Sequence, residues 1–353
     1  MRFVNEARIM GQLQHPCIPH VYDSGFCQDQ RPFHAMMLVD GQTLYSVMRT
    51  RGGTRFKTGQ LLNIFARLSQ AVAYTHLNDV IHLDLKPGNV MVGQYGEVHL
   101  MDWGLAKPLQ EDSGSYRTED PCGQRTVRGT LDYMPPEQAR CEVLDERADV
   151  FSLGAMLFEI LTGRTIYPAK SKLGKHRLAV EGDLDWALSR LEDCSAHRPL
   201  LRLVRNCLAV DPEDRPINAS VVAAEMWAYQ ASTLERVQSD MTRFFELSLD
   251  LFCIAGLDGY FRRINANFSR VLGYKESELL SRPFMDFVHE DDRQATLEAM
   301  SVLGQGQPVV RFRNRYRAID GEFLEFEWTA KSIPSAHEIF AVARNLSDPV
   351  LPG

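Results

Sequence analysis

His82-Leu83-Asp84-Leu85-Lys86-Pro87-Gly88-Asn89, followed after an apolar, strand-like run by Asp102-Trp103-Gly104, is the stretch on which the reading of this chain turns. Two carboxylates and an amide at these spacings, with one lysine among them, suit phosphoryl transfer. That chemistry needs one carboxylate to orient the attacking hydroxyl, a second acid plus an amide to hold Mg²⁺, and a cation on the group in flight. Asp84, Asp102, Asn89 and Lys86 fit those roles in that order. Either half of the pattern could arise by chance in a turn-rich segment; the two halves joined are much less easily explained that way.

Three more stretches follow in order: Gly129-Thr130-Leu131-Asp132-Tyr133-Met134-Pro135-Pro136-Glu137, Asp149-Val150-Phe151-Ser152-Leu153-Gly154, and Asp211-Pro212-Glu213-Asp214-Arg215-Pro216. The set resembles the protein kinases: catalytic loop, metal-binding Asp-x-Gly element, end of the activation segment, anchoring helix, and an arginine that pairs with Glu137. Trp103 in place of the family's phenylalanine is shared with small-molecule phosphotransferases of the aminoglycoside type, but those lack the later elements. Leu83 stands where an arginine is usual, so a phosphate on the activation segment loses its guanidinium clamp. Ser113, Ser115, Thr118 and Thr126, in the polar run after Gly104, are candidate phosphorylation sites.

The resemblance implies further roles. Glu6, on an amphipathic helix spanning residues 2–14 and ended by His15-Pro16, falls where the family carries a glutamate that pairs with a strand lysine. Met36 corresponds to the gatekeeper. Met37, Val39, Asp40 and Met91 correspond to positions around the adenine of ATP, with Ala35 to Val39 expected as a buried apolar run. Thr130 corresponds to a threonine whose hydroxyl bonds the catalytic aspartate and lysine, and with Lys86 it points to serine or threonine substrates. A glycine-rich loop and a lysine strand need on the order of forty residues ahead of Glu6; five precede it here. Low activity of the chain as written is therefore an expectation. Residues 58–78 read as an amphipathic helix beneath the catalytic loop, Ile166 to Arg177 as a basic loop, and Leu200–Leu208 and Ile217–Tyr229 as helices.

Composition sets the bounds. With 353 residues, 44% hydrophobic and 24% charged, the chain can bury two or three cores. A net charge of −7 gives no reason to expect nucleic acid or an anionic membrane as partner. Arg311, Arg313, Arg315 and Arg317 alternate as one solvated strand face. Seven cysteines without a CxxC pair predict neither a zinc site nor a disulfide framework. No apolar run reaches the ~18 residues of a membrane span, and the charged first ten residues do not read as a signal peptide. The expected location is cytoplasmic.

Past residue 230 the pattern changes. Leu234, Val237, Met241 and Phe244 follow 3-4-3 spacing, a seam that could pair with a second copy. Then come a strand from Leu251, an Asp258-Gly259 turn, a short helix ending at Gly273, a helix opened by His289, and three strands covering 309–319, 322–333 and 338–345. This resembles a PAS domain. The resemblance implies a small-molecule ligand, here unknown; the photoreactive cysteine motif of flavin sensors is missing, and His289 alone is a weak haem ligand. The fold class expected is α+β: a protein-kinase-like fold with a helical large lobe and truncated small lobe, then a PAS-type antiparallel sheet with flanking helices. The expected boundaries are 1–230, a helical linker 231–246, 247–347, and a tail 348–353. The function implied is transfer of the ATP γ-phosphoryl group to Ser or Thr of protein substrates, with Mg²⁺, regulated through the PAS module. The alternative is a pseudokinase scaffold signalling by PAS-mediated association.

Overall fold

The computed structural model describes residues 2–49, 56–109 and 130–347. The chain divides into two compact units, Met1–Ser232 and Thr233–Gly353.

The first unit opens with helix α1 (Arg2–Gln12), which buries Ala7, Ile9 and Met10 and stops ahead of Pro16. Strands β1 (Val21–Phe26) and β2 (Pro32–Met36) form an antiparallel pair. Beyond them Met37 and Val39 are half-buried while Leu38 is 92% exposed, so the run expected to be buried on both faces is covered on one. The cause is the two-residue period of extended chain, which turns Leu38 and Asp40 away from the body. Gly41 (φ +150°) then passes so close to the Val92 carbonyl that a Cβ there would collide with it. That approach lets β3 (Gln42–Thr43) pair with β5 (Val90–Val92), itself paired with β6 (Val98–Leu100).

Helices α2 (Leu44–Arg49) and α3 (Thr58–Leu77) follow. The apolar stripe Leu61, Leu62, Ile64, Phe65, Leu68 and Val72 buries one side of α3, each large side chain contributing ~1.5–3 kcal/mol. Strand β4 (Val80–Ile81) pairs with β7 (Lys107–Pro108). After α4 (Pro136–Ala139) comes α5 (Glu146–Thr162), capped by the Asp145 carboxylate on the Arg147 N–H and closed by left-handed Gly163. Every residue of α5 from Ala148 to Ile160 is buried, as suits a helix that runs through a core. Ile166 to Arg177 is not a loop throughout: Ser171 caps a helix, α6 (Lys172–Glu181), through the Gly174 N–H. Helices α7 (Asp185–Glu192), α8 (Arg198–Cys207) and α9 (Ala219–Leu247) complete the series. Cys141 is disulfide-bonded, which the scattered spacing of the cysteines does not predict.

In the second unit, β8 (Leu251–Gly256) and β9 (Phe261–Ile264) form a hairpin around left-handed Gly259. Helices α10 (Ala266–Leu272), α11 (Glu276–Ser281) and α12 (Arg293–Gly304) precede strands β10 (Val309–Arg317), β11 (Phe323–Ile333) and β12 (Glu338–Asn345). The antiparallel sheet has the order β10-β11-β12-β8-β9, and one face buries Phe268, Phe287, Phe326 and Trp328. Among the described residues no helix is long and apolar enough to cross a membrane.

Candidate active site

The buried strand β4 delivers the chain to His82, after which it turns sharply through Leu83 at φ +64°. A left-handed leucine costs roughly 1–2 kcal/mol and persists only where its surroundings hold it. Here the fully buried carboxylate of Asp149, on α5, accepts the His82 N–H (2.7 Å), the Leu83 N–H (2.8 Å) and His76 Nε2 (3.0 Å). Gln138 donates to the Leu83 carbonyl at 3.0 Å. Burial alone would raise the Asp149 carboxyl, but the hydrogen bond and charge of His76, with His82 beside it, outweigh that and hold it below its ordinary value. His82 itself is pushed down by burial, against the pull of Asp149 and Asp84. Its ring meets the edge of Trp103 at 4.7 Å, and Nε2 lies 3.2 Å from the Met101 carbonyl, so the loop and the Asp102-Trp103-Gly104 element are packed on one another.

Asp84 is the meeting point of three of the predicted residues. Lys86 Nζ lies 2.6 Å from its Oδ2. Asn89 Nδ2 donates to the same oxygen at 3.1 Å and to the Asp84 carbonyl at 2.9 Å. Thr130 donates to Oδ1 at 3.3 Å, but through its backbone N–H. The expected hydroxyl contact is replaced by a main-chain one, because the extended backbone of Thr130 (φ −92°, ψ 110°) brings its amide to the carboxylate. Among the described residues Oδ1 carries this one long bond, which makes it the oxygen better able to receive a further donor.

Asn89 is buried, and its amide nitrogen is spent on Asp84; among the described residues its Oδ1 takes no donor. Its carbonyl accepts the Met101 N–H at 2.8 Å, tying it to the residue before Asp102. Asp102 is exposed and sits at φ +59°. An amide oxygen plus one carboxylate is the oxygen-only donor set a Mg²⁺ ion shared with phosphates requires, so these residues fit the ion. Glu6 also borders this element: its Oε2 and Asp102 Oδ1 both lie within 4 Å of where a Cβ on Gly104 would sit. Met37 is anchored by its N–H on the His20 carbonyl (2.8 Å), and Met91, half-buried, pairs with Thr43 a few residues after Val39 and Asp40. The segment carrying Val39 and Asp40 and the strand carrying Met91 are therefore neighbours, while Glu6 stands beside the Asp102 element.

Around this lies a rigid frame. Arg215 and Glu137 form a two-pronged pair at 2.6 and 2.9 Å, both buried. Glu159, equally buried, accepts the Tyr133 hydroxyl at 2.5 Å and Arg49 at 2.9 Å. Leu83 enters a small apolar cluster with Ile81, Leu109, Leu144 and Ala148. Sequence reasoning misses His76, Gln138 and Glu159: a lone polar residue on a helix carries no signal of the partner it meets in space. Ser113, Ser115, Thr118 and Thr126 lie outside the described residues.

In the second unit an apolar cavity of about 60 Å³ lies between the sheet and α12, lined by Cys253, Met300, Phe312, Tyr316 and Trp328 among others. Its one polar cluster is satisfied internally, Trp328 donating to Asn314 and Asn314 to Thr296. Burial pushes the Cys253 thiol up to about 12. His289 does not line the cavity; it caps the next turn on the Asp291 N–H and packs on Phe323.

A protein kinase domain model matches residues 1–227, and a PAS fold model matches residues 261–342. The serine/threonine-protein kinase PknB of Mycobacterium tuberculosis (strain H37Rv) is 35% identical over 229 residues, covering 64% of this chain and 35% of that protein. PknB of Mycolicibacterium smegmatis is 34% identical over 229 residues, with coverage of 64% and 35%. The serine/threonine-protein kinase PknD of Protochlamydia amoebophila is 30% identical over 280 residues, 73% of this chain and 27% of PknD. The chain spans about a third of the length of these relatives.

Proposed function

Given that this chain belongs to the protein kinase family, we propose that it transfers the γ-phosphoryl group of ATP to serine or threonine of protein substrates. The observation that carries this is the Asp84 carboxylate, held by Lys86, Asn89 and the Thr130 amide with one oxygen lightly engaged.

A substrate hydroxyl entering beside Asp84 Oδ1 is oriented by it and gives up its proton there as the new O–P bond forms and the bond to the ADP oxygen breaks. Lys86, now against Oδ2, is placed to meet the charge on the group in flight. Asn89 and Asp102 would hold Mg²⁺, which when bound would neutralise phosphate charge. The left-handed Leu83 and the Asp149 carboxylate fix Asp84 before substrate arrives, which is where most of the catalysis in such a reaction resides.

The PAS unit is read as the regulatory module. Its apolar cavity suits a small uncharged molecule, and is far too small for haem. Leu234, Val237, Met241 and Phe244 are each more than half exposed on α9, as a seam for a second copy requires.

The test is transfer of labelled phosphate from ATP to a serine-containing protein by the complete gene product. Asp84→Asn is expected to lower the rate by about 10²–10⁴, the contribution of a general base. Equal rates in the two proteins would refute the assignment and favour the scaffold.

A further inference from the structure

A second cavity, of about 360 Å³, lies beside the segment that leads away from Thr130, and its charge is positive. Three cationic side chains reach it from three separate elements: Arg164 from the turn after α5, Lys175 from α6 and Arg190 from α7, with Tyr167 and Trp186 between them. Two of its walls are tied to the catalytic segment. Lys175 Nζ lies 2.5 Å from Asp132 Oδ1, two residues past Thr130, and the Tyr167 hydroxyl donates to the Met134 carbonyl at 3.1 Å.

The charges do not cancel. Asp132 neutralises Lys175 alone. Arg190 has Asp193 at 3.8 Å, with both side chains about half exposed or more, where an ion pair is worth little. Arg164 has no acidic partner among the described residues. Two guanidinium forks thus face one cavity, in a chain whose net charge is −7. The fork geometry matches carboxylates.

We propose that this cavity docks an acidic segment of the protein substrate, a few residues away along the substrate from the hydroxyl presented to Asp84. The inference rests on the kinase reading above and adds to it a substrate class. Extended chain spans roughly 3.3–3.6 Å per residue, so a short peptide reaches from the Asp84–Thr130 contact to a cavity whose Lys175 is paired with Asp132, two residues past Thr130. Trp186, half-buried and edge-on to Phe158 at 6.1 Å, gives the aliphatic stems of glutamates an apolar surface. A nucleic-acid strand is disfavoured, because the positive charge is confined to one cavity and does not extend as a stripe.

The experiment measures binding without transfer. A fluorescein-labelled twelve-residue peptide with one serine and glutamates on both sides is titrated with the complete gene product in low salt without ATP, next to a peptide with glutamine in place of each glutamate. The acidic peptide is expected to bind about fivefold tighter, the size that two partly exposed ion pairs support. Salt at ~0.5 M should erase the difference. Arg164→Ala with Arg190→Ala should bring the affinity ratio near one, and Arg164→Lys with Arg190→Lys should restore only part of it, because an ammonium keeps the charge and loses the fork. Equal affinity for both peptides in the native protein would overturn the proposal. So would a preference that survives the double alanine variant, or a twelve-nucleotide DNA that displaces the acidic peptide at lower concentration than unlabelled acidic peptide does. Failure here is distinct from failure of the kinase reading, which is judged by the effect of Asp84→Asn on transfer.

Discussion

Replacing Asp149 by asparagine keeps the shape of the side chain and removes its charge. The carboxylate serves donors on both of its oxygens: His82 N–H and His76 Nε2 on one, Leu83 N–H on the other. An amide has a single acceptor oxygen. Turned toward His82 and His76, it sets its own NH₂ against the Leu83 N–H, a donor facing a donor at a position with no solvent access. An orphaned buried donor costs ~1–3 kcal/mol, and the two surviving bonds drop from the charged to the neutral class, ~1 kcal/mol each. Relief of the carboxylate's own desolvation offsets part of this, leaving about 3 kcal/mol. That is a large share of a typical ~5–15 kcal/mol, and it acts on the loop first. Hydrogen exchange of the His82 and Leu83 amides should accelerate by roughly 100-fold, at ~1.4 kcal/mol per tenfold. Because the folded carboxyl lies below its ordinary 3.8, its contribution is fully present above that value and is lost as pH falls through the depressed folded one. The gap between native and variant should therefore be flat from pH 7 to 5 and close only in strong acid. Unchanged exchange at His82 and Leu83 in Asp149→Asn would refute the claim that this carboxylate holds the catalytic loop.

Two further expectations concern other parts of the molecule. Arg215→Leu strands the buried Glu137 charge and the carbonyls of Arg147, Ala209 and Val210, so it should destabilise the first unit by ~3–5 kcal/mol; adding Glu137→Leu should recover part of that in urea unfolding, and strictly additive losses would mean the pair is not coupled. Val237→Glu with Met241→Glu should shift sedimentation toward a slower species, and an unchanged profile would remove the α9 seam as a self-association surface.

Much of the molecule is legible before folding because its signals are local. The spacing of Asp84, Lys86 and Asn89 fits a single turn of chain, and the strands of the second unit follow turn glycines at Gly259 and Gly321. What escapes is set by contacts distant in sequence. His76 and Asp149 are 73 residues apart, and nothing in either neighbourhood predicts their meeting. Leu38 looks like core by its type, and only the one-sided cover of its segment exposes it. Helix α6 is missed because its apolar residues crowd at Leu178, Ala179 and Val180 without helical period, although its cap, Ser171, is visible. Thr130 reaches Asp84 through its backbone N–H where the sequence suggests its hydroxyl, since side-chain chemistry says little about which backbone amide turns inward.

The apolar cluster around Leu83 bears on how the loop could be controlled. Leu109 belongs to it, Leu105 packs against it, the Leu109 N–H bonds the Asp79 carbonyl at 2.7 Å, and β7 pairs with β4. The stretch after Gly104 is thus latched to the catalytic loop by oil and backbone. A latch of that kind has no charge to screen, so ionic strength leaves it alone. Nor can a phosphatase undo it, because it contains no ester to hydrolyse. Its strength follows temperature in the manner of buried hydrocarbon, weakening on cooling. At this contact the protein holds a permanent fastening in place of an erasable mark.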